Sequence, residues 1–193
     1  MEFWKICRTI NNPIRFALLR EIMNSPRRAE NVVQAGEHVG CKKSLSSQYL
    51  KKLAEAGLLS VERSGRYAVC SSADLRRSPI ARLQLALSGF FSRTHSGTDV
   101  DAIRATLNAL AHHGRIMILR TVSEQGGISF ANLAKSTGLP PTTLRRQLGV
   151  LIGAGAIKPG EDSDGVRTYS IARQRTRLSF VLVSLALDRR LLP

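Results

Sequence analysis

The chain has 193 residues, with 29 Lys plus Arg against 14 Asp plus Glu, for a formal net charge of +15. With 43% apolar and 22% charged residues it can bury a core, which excludes a disordered basic tail. Three widely spaced cysteines, Cys7, Cys41 and Cys70, exclude a secreted disulfide scaffold and offer no zinc-type pair. The longest apolar stretch, residues 178–187, is interrupted by Ser179 and Ser184 and stopped by Asp188, far short of the roughly 20 residues of a membrane span. Residues 1–8 lack the basic-then-apolar pattern of a signal peptide, so a soluble, cytoplasmic protein without membrane partners is expected. So large a cationic excess attracts polyanions, nucleic acid first and an anionic membrane surface second.

In chain order, the first predicted helix covers residues 2–10. The second runs from Pro13 to Met23, with Ile14, Ala17, Leu18 and Ile22 on one face at helical spacing. A third spans about 29–39 and stops at Gly40; a fourth begins about Ser44 and ends near Gly57. Two strands follow, 58–63 and 66–70, around a Ser64-Gly65 turn. An apolar helix over 79–91, capped by Ser78, closes this half, and the polar stretch 92–98 is the natural linker.

The same order then recurs. Helices are expected over 99–111 (with Thr98 as N-cap), 115–123, 130–137 and from Pro141 to near Gly155. Strands at 156–158 and 166–171 flank a turn holding Asp162 to Gly165, and a last helix covers about 175–192. The two halves align residue by residue: Arg15 on Arg115, Leu19 on Leu119, Gly40 on Gly138, Leu50 on Leu148 and Gly57 on Gly155. The offsets of 100, 98 and again 100 slip only in turn-like segments, so we read two copies of one module. The expected domains are 1–91 and 99–193, joined by 92–98. Both are basic, at +9 for residues 1–98 and +6 for 99–193.

Two short helices joined by a Gly-containing turn of three or four residues are the helix-turn-helix signature. On the second helix of each pair, Ser46, Leu50 and Leu53 face inward in the first copy, as do Leu144, Leu148 and Leu151 in the second. Ser44, Leu45, Ser47, Gln48, Lys51 and Lys52 are expected outward, as are Thr142, Thr143, Arg145, Arg146 and Gln147.

The segment Ser47-Gln-Tyr-Leu-Lys-Lys-Leu-Ala-Glu-Ala-Gly-Leu-Leu59, followed by Arg63-Ser-Gly-Arg-Tyr67, resembles the ArsR-type winged helix-turn-helix regulators. The Ile10–Arg15 stretch is similar to the one that opens that family's second helix. The second copy matches in the same order, through 110–115, 142–157 and Gly165-Val-Arg-Thr-Tyr169. The resemblance implies a mainly α fold with small β-hairpin wings, as two tandem winged helix-turn-helix domains. Relatives are usually homodimers through their first and last helices, so a tandem chain implies an intrachain pseudo-dimer, with further homodimerisation open. Tyr49 stands where many relatives have His. The third helices offer only Glu37, His38 and nearby Cys41, and the last helices no His or Cys, so metal sensing is not carried across.

A recognition helix fits the major groove, where guanidinium matches guanine O6 and N7; Arg145 and Arg146 are the candidates, with Gln48 for adenine. Ser44, Ser47, Thr142, Thr143 and Gln147 complete the candidate base-reading faces. Lys42, Lys43, Lys51 and Lys52 suit phosphates, and Arg63, Arg66 and Arg167 in the wings suit phosphate or the minor groove. Solvated helix faces are the plain alternative, against which stands the same sign in both copies. No phosphate loop, nucleophile elbow or carboxylate pair with a base appears, so neither catalysis nor a cofactor is expected. His112-His113 is a weak metal candidate, and the thiols read as inert and buried.

The expected function is a sequence-specific double-stranded DNA-binding transcriptional regulator, a repressor that excludes polymerase. The alternative is an architectural or replication-associated tandem protein that binds DNA non-specifically or acts as a scaffold. A protein–protein adaptor would instead carry acidic or apolar recognition faces.

Overall fold

Asn12 and Pro13 show how closely the local sequence sets the helix starts. The Asn12 Oδ1 accepts the Arg15 amide at 3.0 Å, and Pro13 sits in the first turn, where no amide partner is needed. Thr176 caps the last helix in the same way, its hydroxyl accepting the Ser179 amide at 3.0 Å. The computed structural model describes residues 2–25, 29–64, 67–72, 80–93 and 97–188. In chain order these form α1 (Phe3–Ile10), α2 (Pro13–Asn24), β1 (Ala29–Asn31), α3 (Val32–His38), α4 (Lys43–Glu55), β2 (Leu59–Ser64), β3 (Tyr67–Ser72) and α5 (Ala81–Phe91). Then follow α6 (Gly97–Leu110), α7 (His113–Gln125), β4 (Ile128–Ser129), α8 (Phe130–Thr137), α9 (Pro141–Gly153), β5 (Ile157–Glu161), β6 (Arg167–Ile171) and α10 (Arg177–Leu187). The described residues are mainly helical, with two small antiparallel sheets.

Two compact units divide it. One is 9–94; the other is 95–193 together with 1–8, so the first eight residues, expected in a domain of 1–91, group with the second half of the chain. In the 9–94 unit, α2 packs against α3, α4, α5 and β3. Its core holds Leu18, Leu19, Ile22, Leu50, Leu53 and Leu83, and Phe16 meets Phe91 edge-on at 5.1 Å. Packing on both sides widens the buried stripe of α2, which is why Phe16 and Leu19 are buried while Ile14 and Ala17 stay half-exposed. In the other unit, α7 packs on α8, α9 and α10, and α6 on α7, α9 and α10. Ile103, Leu107, Leu110, Ile118, Leu119, Leu148 and Leu182 fill that core.

Each unit has a three-stranded sheet, in the orders β1-β3-β2 and β4-β6-β5. The central strand of each pairs with a short strand lying just before the third helix, Glu30 opposite Cys70 in one sheet and Ile128 opposite Tyr169 in the other. Residues 29–31, expected to start a helix, are therefore strand, and α3 begins at Val32, where the Asn31 side chain accepts the Val33 amide. The first hairpin pairs Ser64 with Tyr67, one residue beyond the expected turn. In the second, Asp162 Oδ1 accepts the amides of Asp164 and Val166 and closes the turn before β6.

Other boundaries shift for local reasons. Helix α6 starts at Gly97, which puts Thr98 inside its first turn instead of at the cap. Helix α7 starts two residues early because His112 Nδ1 accepts the Gly114 amide. Helix α10 is shorter than 175–192, running from the Thr176 cap to Asp188. The expected cap Ser78 lies outside the described residues, and α5 starts at Ala81.

Candidate nucleic-acid interface

Helices α3 and α4 are joined by four residues, 39–42, and α8 and α9 by three, 138–140. Both α4 and α9 stop before a glycine at positive φ, Gly57 at 71° and Gly155 at 67°, which turns the chain into the first strand of the hairpin. The inward faces are as expected: Ser46, Leu50 and Leu53 are buried on α4, and Leu144, Leu148 and Leu151 on α9.

The tight α3–α4 crossing explains the polar inward residue. A Cβ built on Gly36 would lie 2.3 Å from Ser46 Oγ, so the two helices meet where neither has side-chain bulk to spare. The buried Ser46 hydroxyl donates to the Lys42 carbonyl at 3.1 Å and lies 3.3 Å from that of Cys41, so its polarity is satisfied.

On the outward face of α4 and its leading turn, Lys42, Lys43, Ser44, Ser47, Gln48, Lys51 and Lys52 are all exposed, and Leu45 is half-buried. The Lys51–Glu55 pair, at 4.0 Å and well exposed, holds Lys51 only weakly. On α9, Thr142, Arg145 and Arg146 are exposed and Thr143 is half-buried. The Arg145 guanidinium lies 5.7 Å from the Phe130 ring centre, within cation–π range.

Gln147 departs from expectation. It is 5% exposed, and its Oε1 accepts a hydrogen bond from Arg115 Nη1 at 3.1 Å, so it faces the interior and not outward. Its position shows why: residues 144, 147, 148 and 151 form one helical stripe. In the wings, Arg167 is exposed on β6 opposite Glu161. Arg63 lies in β2 opposite Ala68, and Arg66 lies outside the described residues.

These elements make up one recognisable module in the second half. Residues 115–158 are a winged helix-turn-helix DNA-binding domain, by their match to the family of that description. The match runs from Arg115 in α7 to Lys158 in β5. No curated protein matches the chain. Among solved structures, the crystal structure of ScpB from Mycobacterium tuberculosis is similar at 14% identity over 84% of this chain and 91% of that one. Its TM-score of 0.25 is too low to carry fold or function across.

In this winged helix-turn-helix domain the field is cationic. Partial desolvation, then Arg115, His113, Arg146 and Arg8, hold the His112 imidazole below its usual range. Burial, then Arg146, lowers the Arg115 guanidinium without discharging it. Sequence reasoning overlooked Phe130 and Arg115 as parts of this site. The alignment of Arg115 with Arg15 was a usable signal for the second.

Among the described residues, no group of three or more His, Cys, Asp or Glu is placed to hold a metal ion, and no helix is long and apolar enough to cross a membrane. Cys7 and Cys70 are buried and Cys41 is partly exposed. Burial raises the Cys7 thiol well above its ordinary range and pushes Cys70 up to about 11.

Proposed function

We propose that this chain is a sequence-specific double-stranded DNA-binding regulator, an ArsR-like repressor with two recognition heads, α9 and α4, that acts by occupancy and without catalysis. One observation carries the reading. The winged helix-turn-helix domain presents Thr142, Arg145 and Arg146 outward on α9, and the 9–94 unit repeats its helix order and sheet order with Ser44, Ser47, Gln48, Lys51 and Lys52 outward on α4. Tandem duplication of one module accounts for that parallel, and an intrachain pseudo-dimer would let both heads address one site. Unlike faces on the two heads favour an asymmetric site, with Arg145 and Arg146 on guanine and Gln48 on adenine.

The test is selection from a random double-stranded DNA pool at about 150 mM salt, where purely phosphate-driven binding is weakened. Enrichment of a motif with two unlike halves supports the reading. A single short half-site would mean that one head reads DNA and the other does not. Binding without any motif would overturn it in favour of a non-specific architectural role, and a perfect palindrome would overturn the two-unlike-heads component.

A further inference from the structure

Arg15 and Arg115 occupy the same place in the two units, each at the third position of its helix, α2 or α7. Each sends its Nε–H back to a backbone carbonyl six residues earlier, Thr9 for Arg15 and Ala109 for Arg115, both at 2.6 Å. Arg115 also donates through Nη2 to the Asn108 carbonyl at 2.6 Å. These carbonyls lie in the last turns of α1 and α6, where intrahelical amides run out; that of Asn108 also accepts the Ala111 amide at 3.2 Å. The other side of each guanidinium meets the recognition helix at its seventh residue. Arg15 lies 5.4 Å from the Tyr49 ring centre on α4, and Arg115 bonds Gln147 on α9.

We infer that Arg15 and Arg115 are positioning residues that fix each recognition helix against the end of the helix preceding its unit's α2 or α7, with Tyr49 and Gln147 as alternative partners for one guanidinium. This rests on the DNA-reading proposal and deepens it: specificity on α9 comes from Thr142, Arg145 and Arg146, while Gln147 sets the angle at which they enter the groove. A guanidinium suits the role because it stays charged when half-buried and can bond two carbonyls and a third group at once. The partner can differ because an aromatic face and an amide oxygen both attract that cation.

The experiment measures affinity of the full chain for its selected motif and for scrambled DNA, at two salt concentrations, in wild type, Gln147→Leu, Gln147→Glu and Gln147→Tyr. Loss of a charge-assisted hydrogen bond predicts that Gln147→Leu lowers the motif-to-scrambled ratio by about tenfold while binding to scrambled DNA changes by less than about twofold. Gln147→Glu, of equal size and with the acceptor kept, restores the ratio, and Gln147→Tyr restores it at least in part. An unchanged ratio in Gln147→Leu, or no rescue by Gln147→Glu, would overturn the inference. If the wild type selects no motif, the DNA reading fails by itself. The strut is then judged by NMR: the Arg115 Nε–H should exchange slowly with solvent in wild type and faster in Gln147→Leu, and equal rates would sink it.

Discussion

His112 does its structural work only as a neutral imidazole. As the N-cap of α7 its neutral Nδ1 accepts the Gly114 amide, and a proton there would remove the acceptor. Its surroundings also disfavour the proton, through partial desolvation and then Arg115, His113, Arg146 and Arg8. A histidine held low in the folded state binds its proton more readily when unfolded, so its contribution is full above the ordinary imidazole range and declines as pH falls through it. Between about pH 7.5 and about 5.5 the melting temperature should therefore fall more in wild type than in His112→Asn, which keeps a capping oxygen without titrating. Parallel melting curves would contradict this. The cysteines give a second check at the same scale. With Cys7 and Cys70 buried and raised, and Cys41 partly exposed beside Lys42 and Lys43, one thiol should react rapidly with a thiol reagent in the native state and two only on unfolding. Rapid reaction of all three without denaturant would contradict the burial.

Between elements, the α3–α4 crossing is the most sensitive contact. Gly36→Ala sets a methyl 2.3 Å from Ser46 Oγ and 3.2 Å from the Cys41 carbonyl, a backbone atom that cannot yield cheaply. Overpacking of this kind costs about 1–3 kcal/mol, and Gly36→Ala with Ser46→Ala should recover part of it, measured by denaturant midpoints. The helices were largely legible in the sequence because stripes such as Leu144, Leu148 and Leu151, and start signals such as Pro13, act within one turn; the Thr176 cap, which sets the true start of α10, was not read. Strands β1 and β4 were not, since three and two residues are too few for an alternation to declare itself, and their pairing depends on β3 and β6 far along the chain. At the site, the exposed Lys and Arg of α4 and α9 were legible from helical period alone. Gln147 was misplaced because its polarity was weighed above its position in the stripe. The Arg145–Phe130 contact joins two helices, so no spacing rule within α9 could have announced it.

For the molecule as a whole, a net charge of +15 governs how binding responds to salt. If six or more phosphates are neutralised, affinity should drop roughly a thousandfold or more between about 50 and 200 mM salt. Within that response, Lys52→Ala should weaken motif and scrambled DNA alike and flatten the salt slope by about one, whereas Arg146→Ala should cost about 1–3 kcal/mol on the motif and much less on scrambled DNA. Identical profiles for the two variants would mean that Arg146 reads no base. The proposed asymmetry between heads belongs to this scale as well, since the two units share a topology and differ in the side chains they present.

The grouping of residues 1–8 with 95–193 also bears on how the protein is made. Phe3, Ile6 and Cys7, nearly devoid of solvent contact in the finished fold, leave the ribosome long before the rest of their unit exists. Closing that unit therefore waits for the intervening 9–94 unit, a long-range loop closure. Splitting the gene at the apparent linker would hand those side chains to the wrong fragment. A piece beginning at residue 97 would start life without three of the hydrophobic groups that its unit uses.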